Sequence, residues 1–240
     1  MKMEIELAPS PDFLKESRFQ LFQDDATEWL KTIPPNSIDC IITDPAYESL
    51  EKHRNIGTTT RLKDWFPVFA NDRYEDLFTQ FYRVLKNNSH CYVFCDQETM
   101  FTIKPIAEAC GFKFWKPIVW DKQSIGIGYH YRSQYEFILF FEKGKRQLKS
   151  FSIADVIQCK RVAKKYPTEK PCKISEILIN QSTSPGEIVL DCFMGSASTG
   201  ISAIENDRRF VGCDISPRSI EIATRRFSEF IYPFQPKLWA

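Results

Sequence analysis

Histidine is scarce in this chain and regular cysteine spacing is missing. His53, His90 and His130 are scattered among eight cysteines at 40, 91, 95, 110, 159, 172, 192 and 213, and no two cysteines form a CxxC pair. The common zinc frameworks need closely spaced ligands, so no metal is expected. Most cysteines sit in apolar runs such as Cys91-Tyr92-Val93-Phe94-Cys95, as buried free thiols in a reducing compartment do. No run approaches the ~18 consecutive apolar residues of a membrane-spanning helix. The N-terminal stretch MKMEIELAPSPDFLKES carries acids where a signal peptide needs an apolar core, which points to the cytoplasm. An excess of one charge is missing too. Against 31 Asp and Glu stand 32 Lys and Arg, a formal net charge of +1. That excludes a uniformly polycationic nucleic-acid binder but leaves room for a locally basic face.

What is present is alternation. Its 240 residues suit one well-packed α/β domain, with no internal repeat. Apolar runs predict strands at Arg18–Phe22, Ile38–Thr43, Cys91–Cys95, Lys113–Trp120, Glu136–Phe141, Ile188–Leu190 and Phe210–Cys213. Between them, helical periodicity predicts helices near Ala26–Thr32, Tyr74–Lys86, Glu98–Cys110, Lys173–Gln181, Ser198–Asn206 and Pro217–Phe227. Such alternation predicts a mostly parallel sheet with helices on both faces. The strands ending at Trp120 and starting at Glu136 have no obvious helix between them, so that pair is expected to be antiparallel. The rhythm breaks at 143–170, where nine Lys or Arg meet two acids, Asp155 and Glu169. Its clusters contain Lys145 and Arg146, then Lys160, Arg161, Lys164 and Lys165. Such a run is either a solvated face or a phosphate-contacting surface.

Two strand ends carry chemistry. The run Ile38-Asp39-Cys40-Ile41-Ile42-Thr43 passes straight into Asp44-Pro45-Ala46-Tyr47. In open parallel sheets the ligand crevice lies outside the carboxyl ends of the strands, where Asp44 and Tyr47 would emerge. The Asp44 carboxylate and the Pro45 carbonyl can accept hydrogen bonds from one amino group, while Tyr47 offers a stacking face. Taken alone, such a tetrapeptide is more often a plain turn. The second strand end is Ile188-Val189-Leu190-Asp191 followed by Cys192-Phe193-Met194-Gly195-Ser196-Ala197-Ser198-Thr199-Gly200. The spacing Gly195-x-Ala197-x-x-Gly200 is the dinucleotide fingerprint with its second glycine replaced. That glycine normally admits a pyrophosphate, so Ala197 suggests a nucleoside cofactor without one. Asp214 closes the next strand, where an acid would bind ribose hydroxyls. A strand carrying the cofactor turn would lie beside the first strand of the other half, yet here it comes late in the chain. If the two are neighbours, the fold is circularly permuted, which termini close together tolerate.

These residues resemble the amino-methyltransferases of DNA in their permuted, β-class arrangement. Asp44-Pro45-Ala46-Tyr47 resembles the D-P-P-Y catalytic motif, and Asp191 to Thr199 resembles the D-x-F-x-G-S-G-T-T cofactor motif. Gln23-Asp24-Asp25-Ala26, Tyr82-Arg83-Val84-Leu85-Lys86 and Tyr166-Pro167-Thr168-Glu169-Lys170-Pro171 match lesser segments, so the resemblance runs from about residue 18 to 227. Ala46 replaces a proline, Asp24 a glycine, Tyr166 a histidine and Ala197 a glycine; the last could crowd the cofactor.

The resemblance implies a circularly permuted Rossmann-like methyltransferase fold and S-adenosylmethionine as cofactor. It also implies roles. Asp44, Pro45 and Tyr47 are catalytic. Asp191, Phe193, Gly195, Ser196 and Ala197 wrap the methionine part, Asp214 binds the ribose, Asp25 contacts the adenine, and Lys170 closes the pocket. Target recognition falls between the motifs, in a small basic insertion near 143–170. The partner is double-stranded DNA, a homodimer is expected as an option of this class, and the reaction is methylation of adenine N6. The alternatives are cytosine N4, an RNA or small-molecule substrate, a nicotinamide oxidoreductase, and a catalytically silent DNA-binding module.

Overall fold

The structure, a computed structural model, describes residues 18–48, 67–126, 131–162 and 169–231. Among them one sheet holds β1 (Phe19–Gln23), β2 (Ile38–Thr43), β3 (Leu85–Cys95), β4 (Lys113–Asp121), β5 (Tyr135–Lys143), β6 (Val156–Gln158), β7 (Ile188–Asp191) and β8 (Arg209–Asp214). The spatial order is β1-β8-β7-β2-β3-β5-β4-β6. All pairings are parallel except those of β5, which runs antiparallel to both β3 and β4. The helices are α1 (Ala26–Thr32), α2 (Tyr74–Val84), α3 (Gln97–Ala109), α4 (Cys172–Ser182), α5 (Ser198–Glu205) and α6 (Pro217–Ile231).

Strands covered on both faces should read as unbroken apolar runs, and β2 is buried along its whole length. The pleat then sorts the core. Ile41, Cys91, Val93 and Leu190 face one side, where Trp29 and Leu30 of α1, Phe78 and Phe81 of α2 and Ile103 of α3 cover them. Cys40, Ile42, Tyr92 and Val189 face the other, under Leu178 of α4, Ile204 of α5 and Phe227 of α6. In α2 the buried residues Tyr74, Leu77, Phe78, Phe81 and Val84 recur at helical spacing. Each large apolar side chain buried this way stabilises the fold by about 1.5–3 kcal/mol.

The order of the chain and the order of the sheet differ, as the motifs imply. Cys40 lies opposite Val189 and Ile41 opposite Leu190, so β2 and β7 are neighbours. The covering helices change face between them, which makes this the switch point of a circularly permuted doubly wound sheet.

One expectation needs correction. The helix predicted to Lys86 ends at Val84, and β3 begins at Leu85 rather than Cys91. Asn87 and Asn88 mimic a turn, but a register shift in β2–β3 pairing carries the polar stretch within the strand. The described part of the basic run 143–170 is woven into the sheet. It finishes β5, crosses the end of α4 through Lys149 N–H to Gln181 O (3.0 Å), and supplies β6 to the sheet edge.

Candidate active site at the carboxyl edge of the sheet

Parallel strands end together, so β2, β7, β8 and β3 deliver Asp44, Asp191, Asp214 and Asp96 to one edge. Thr43 and Asp191 tie the two central strands, with Thr43 Oγ1 donating to Asp191 Oδ1 at 2.8 Å. The turn after β2 is braced in turn. Phe69 N–H donates to Ala46 O at 2.7 Å, and Tyr47 bridges to Phe69. Phe69 packs edge-on against Phe193 of the turn after β7, their centroids 5.1 Å apart. Pro45 is buried and Tyr47 half-buried. Burial, with Glu136 and Asp44 nearby, pushes the Tyr47 hydroxyl up and keeps it neutral.

Asp44 is not alone. The Lys170 ammonium donates to Asp44 Oδ2 and lies 3.2 Å from Glu136 Oε2, whose other oxygen is 2.6 Å from Lys122 Nζ. Burial pushes the Asp44 carboxyl up; Lys170 opposes that and Glu136 adds to it. Burial alone would raise Glu136 as well, but Lys170 and Lys122 bring it down to about 2. Burial alone would lower the Lys170 ammonium, and the two acids outweigh it. Lys170, expected to close the cofactor pocket, lies against the Asp44 carboxylate. The neighbouring Glu169 makes the link to the cofactor turn: its Oε1 is 2.9 Å from Arg226 Nη1, which also donates to Ser196 O at 2.7 Å.

The turn from Asp191 to Ala197 wraps back onto β8. Gly195 N–H donates to Asp214 Oδ2 at 2.8 Å with Gly195 at φ 50°, and Ser216 N–H donates to Asp214 Oδ1 at 2.9 Å. Burial raises the Asp214 carboxyl, and those two N–H groups oppose it. Burial pushes Asp191 up to about 7, against hydrogen bonds from Thr43 and Phe193 N–H. Ala197 takes φ 58°, ψ 37°, a left-handed conformation in which a Cβ costs about 1–2 kcal/mol. Its methyl is fully buried in the core cluster under α5. Gly200 lets α5 pack closely on β8. A Cβ there would stand 2.6 Å from Phe210 Cδ1.

Asp25 does structural work. It caps α1, accepting from Thr27 N–H at 3.0 Å, and Arg73 donates to the same oxygen at 2.7 Å. Burial opposes ionisation, but Arg73 and the helix N–H groups hold the carboxyl below its ordinary value. The basic residues are divided. β5 runs against its neighbours, so Lys145 and Arg146 fall at the opposite, amino edge of the sheet. Arg146 pairs there with Glu187 at 2.7 Å. β6 runs parallel to β4, so Lys160 and Arg161 emerge exposed at the carboxyl edge. Lys164 and Lys165 lie outside the described residues. Sequence reasoning missed Lys122, Glu136, Glu169, Arg226 and Arg73. The one signal for any of them was Glu169 within the segment that also holds Lys170; an isolated charge beside an apolar strand looks like any surface residue.

A sequence model of the N6/N4 class, described as DNA methylase, matches residues 38–161 and 148–225. DNA adenine methyltransferase YhdJ of Escherichia coli (strain K12) is 28% identical over 243 residues, covering 84% of this chain and 80% of its own. The solved M1.HpyAVI–SAM complex superposes with a TM-score of 0.67 at 24% identity, over 87% of this chain and 99% of that one. The cytosine-N4-specific PvuII DNA methyltransferase does so at 0.71 and 15% identity, over 93% and 89%. These two likenesses establish the fold. The family match spans both strand ends at which the acids converge, and the chain belongs to the N6/N4 DNA methylase family.

Proposed function

We propose that this protein is a site-specific DNA methyltransferase that transfers a methyl group from S-adenosylmethionine to N6 of adenine in double-stranded DNA. One observation carries the reading. The Thr43–Asp191 hydrogen bond joins β2 to β7, so the amine-accepting Asp44 stands next to the cofactor turn. The donor set fits an amino acid joined to a nucleoside. Asp191 and Asp214 suit an ammonium and ribose hydroxyls, Phe193 offers an apolar wall, and the N-terminus of α5 behind Gly195, Ser196 and Ala197 suits a carboxylate. Bound there, S-adenosylmethionine supplies a methyl already activated by a positive sulfur.

The residues of the chain do the rest. An exocyclic amine is a poor nucleophile because its lone pair is delocalised into the ring. Donating its two N–H groups to the Asp44 carboxylate and the Pro45 carbonyl favours a pyramidal nitrogen, and charge-assisted bonds of this kind are about twice as strong as neutral ones. Tyr47 stacks on the base, offsetting by roughly 1–3 kcal/mol the few kcal/mol of taking it out of the duplex. Lys160 and Arg161, with Tyr131 and Arg132 of the β4–β5 hairpin, are exposed at the same edge and would meet the DNA backbone. Adenine is favoured by the acid in Asp44-Pro45-Ala46-Tyr47 and by the adenine relative. Mass spectrometry of nucleosides from DNA of expressing cells tests it. N6-methyladenine is expected. N4-methylcytosine alone would overturn the base assignment, and neither product would leave a silent DNA-binding module.

A further inference from the structure

The methyl-transfer chemistry uses one of four charges that stand in a line. Asp44 ends β2, Lys170 precedes α4, Glu136 lies in β5 and Lys122 follows β4, so four separate elements bring them together. Lys122 is 5% exposed, and Lys170 and Glu136 expose only 12% and 20% of their side chains. The Phe94 ring centroid lies 5.2 Å from Lys170 Nζ. The backbone beside Lys170 is anchored, because Glu169 holds Arg226 and the cofactor turn. What is left to move is the Lys170 side chain.

The geometry poses a conflict. Lys170 occupies Asp44 Oδ2, and the target amine needs that carboxylate. A buried ammonium left without a partner costs several kcal/mol, so it must have somewhere to go. Glu136 is already 3.2 Å away. We propose that Lys170 is a positioning residue for methyl transfer: it holds and aims the Asp44 carboxylate until the target amine replaces it, and Glu136 receives the displaced ammonium. The inference rests on the methyl-transfer reading above and adds a proton consequence. Once Lys170 has moved to Glu136, Asp44 is left more basic. As the N–C bond forms and the S–C bond breaks, the methylated nitrogen sheds its proton to the Asp44 carboxylate. The return of Lys170 drives that proton to water.

Other groups facing Asp44 are Asp191 from β7, Tyr47 from its own turn, Tyr74 from α2, and Cys95 and Asp96 from the end of β3. Burial pushes Tyr47, Tyr74 and Cys95 up, so these remain neutral across the working range. Asp191, pushed up to about 7, is removed from the comparison by saturating the cofactor.

The test is the pH dependence of kcat/KM for DNA at saturating S-adenosylmethionine, which reports the enzyme before the amine displaces Lys170, with kcat and cofactor affinity measured alongside. Lys170→Met should move the acid limb to higher pH by about 1–3 units, the reach of one close opposite charge. Lys170→Arg should restore it. Glu136→Gln removes an anion that raises Asp44, so its limb should move to lower pH, with lower kcat because the ammonium has lost its second seat. Coulomb interaction alone gives those signs for any network around Asp44; the positioning role adds the fall in kcat of Glu136→Gln with cofactor affinity unchanged, and wild-type kcat there would overturn it. Limbs that stay put, or that move the same way, overturn the proposal, as does loss of cofactor affinity without a shift. If Lys170→Met does not fold, Glu136→Gln decides by its own shift and its kcat. If the wild type methylates no DNA, the methyl-transfer reading fails instead. Difference infrared titration of Asp44 against Asp44→Asn then still shows whether Lys170 governs its ionisation; an Asp44 titration unmoved in Lys170→Met and Glu136→Gln overturns the pairing.

Discussion

The two edges of the sheet bury charge in opposite ways. At the amino edge, beside ion pairs such as Arg146–Glu187, three cations close the carbonyl ends of helices. Lys143 Nζ donates to Tyr82 O and Leu85 O, both at 2.6 Å, closing the end of α2. Arg83 donates to Leu30 O and Ile33 O at the end of α1, and Arg208 to Thr183 O at the end of α4. Carbonyls orphaned at helix C-termini attract cations, so each pairing completes the fold and leaves nothing to react. At the carboxyl edge, charges face charges: Asp44, Lys170, Glu136 and Lys122 pair in a row, with Glu136 Oε2 left without a hydrogen bond among the described residues, while Asp191 and Asp214 accept N–H or O–H groups. Groups that hold one another can be re-partnered by a ligand. Groups that cap helices cannot.

Substitutions should therefore fail differently at the two edges. Asp44→Ala has the largest expected effect, a loss of about 10²–10³ in kcat, by analogy with removing one preorganised transition-state partner. Cofactor affinity should stay near wild type, because Asp44 ends a different strand from the cofactor turn. Wild-type turnover in a folded variant would remove Asp44 from the chemistry.

Asp191 sharpens the same contrast through pH. Its ordinary value is 3.8, and burial pushes it up to about 7. An acid raised on folding favours the protonated native state, so its contribution is fullest below about pH 4 and is lost as pH rises toward 7. Thermal melts of the protein without cofactor should show that decline, and Asp191→Asn should flatten it. Cofactor affinity should rise over the same window if the carboxylate meets an ammonium; a flat binding profile would place that ammonium elsewhere.

At the amino edge, Arg208→Met should lower stability by about 1–3 kcal/mol for the carbonyls it strands. Tm should fall while kcat of the folded enzyme is retained; a specific loss of kcat would break the division between the edges. The smallest effect is the sharpest map. Lys160→Ala with Arg161→Ala should flatten the salt dependence of DNA binding by about 0.9 log units for each phosphate no longer neutralised. Lys145→Ala should leave it unchanged, since Lys145 sits at the other edge. Equal slopes for the two variants would mean that the DNA does not lie along the carboxyl edge.

How much of this was legible can be argued from single residues. Asp44, Asp191 and Asp214 each follow an apolar run and precede a turn, and a parallel strand leaves its last residue at the ligand edge. The composition of β2 and β7 thus carries their place in the sheet. The permutation was legible as well, because it is a statement about motif order. Asp25 was harder, since an acid before a helix reads equally as a cap or a ligand.

By itself, then, the sequence determined the alternating architecture, the two motif turns and the chemistry they resemble, because periodicity and turn residues act over a few positions. Tertiary structure alone decided which edge each basic cluster reaches. That depended on β5 running antiparallel and on β6, three residues with no pattern of their own, pairing with β4. It also decided that Lys170 meets Asp44, and that Glu136 and Lys122 join them. Asp44 and Lys170 stand 126 residues apart in the chain, and what brings them together is the register of packed strands, a property that no local stretch of chain contains.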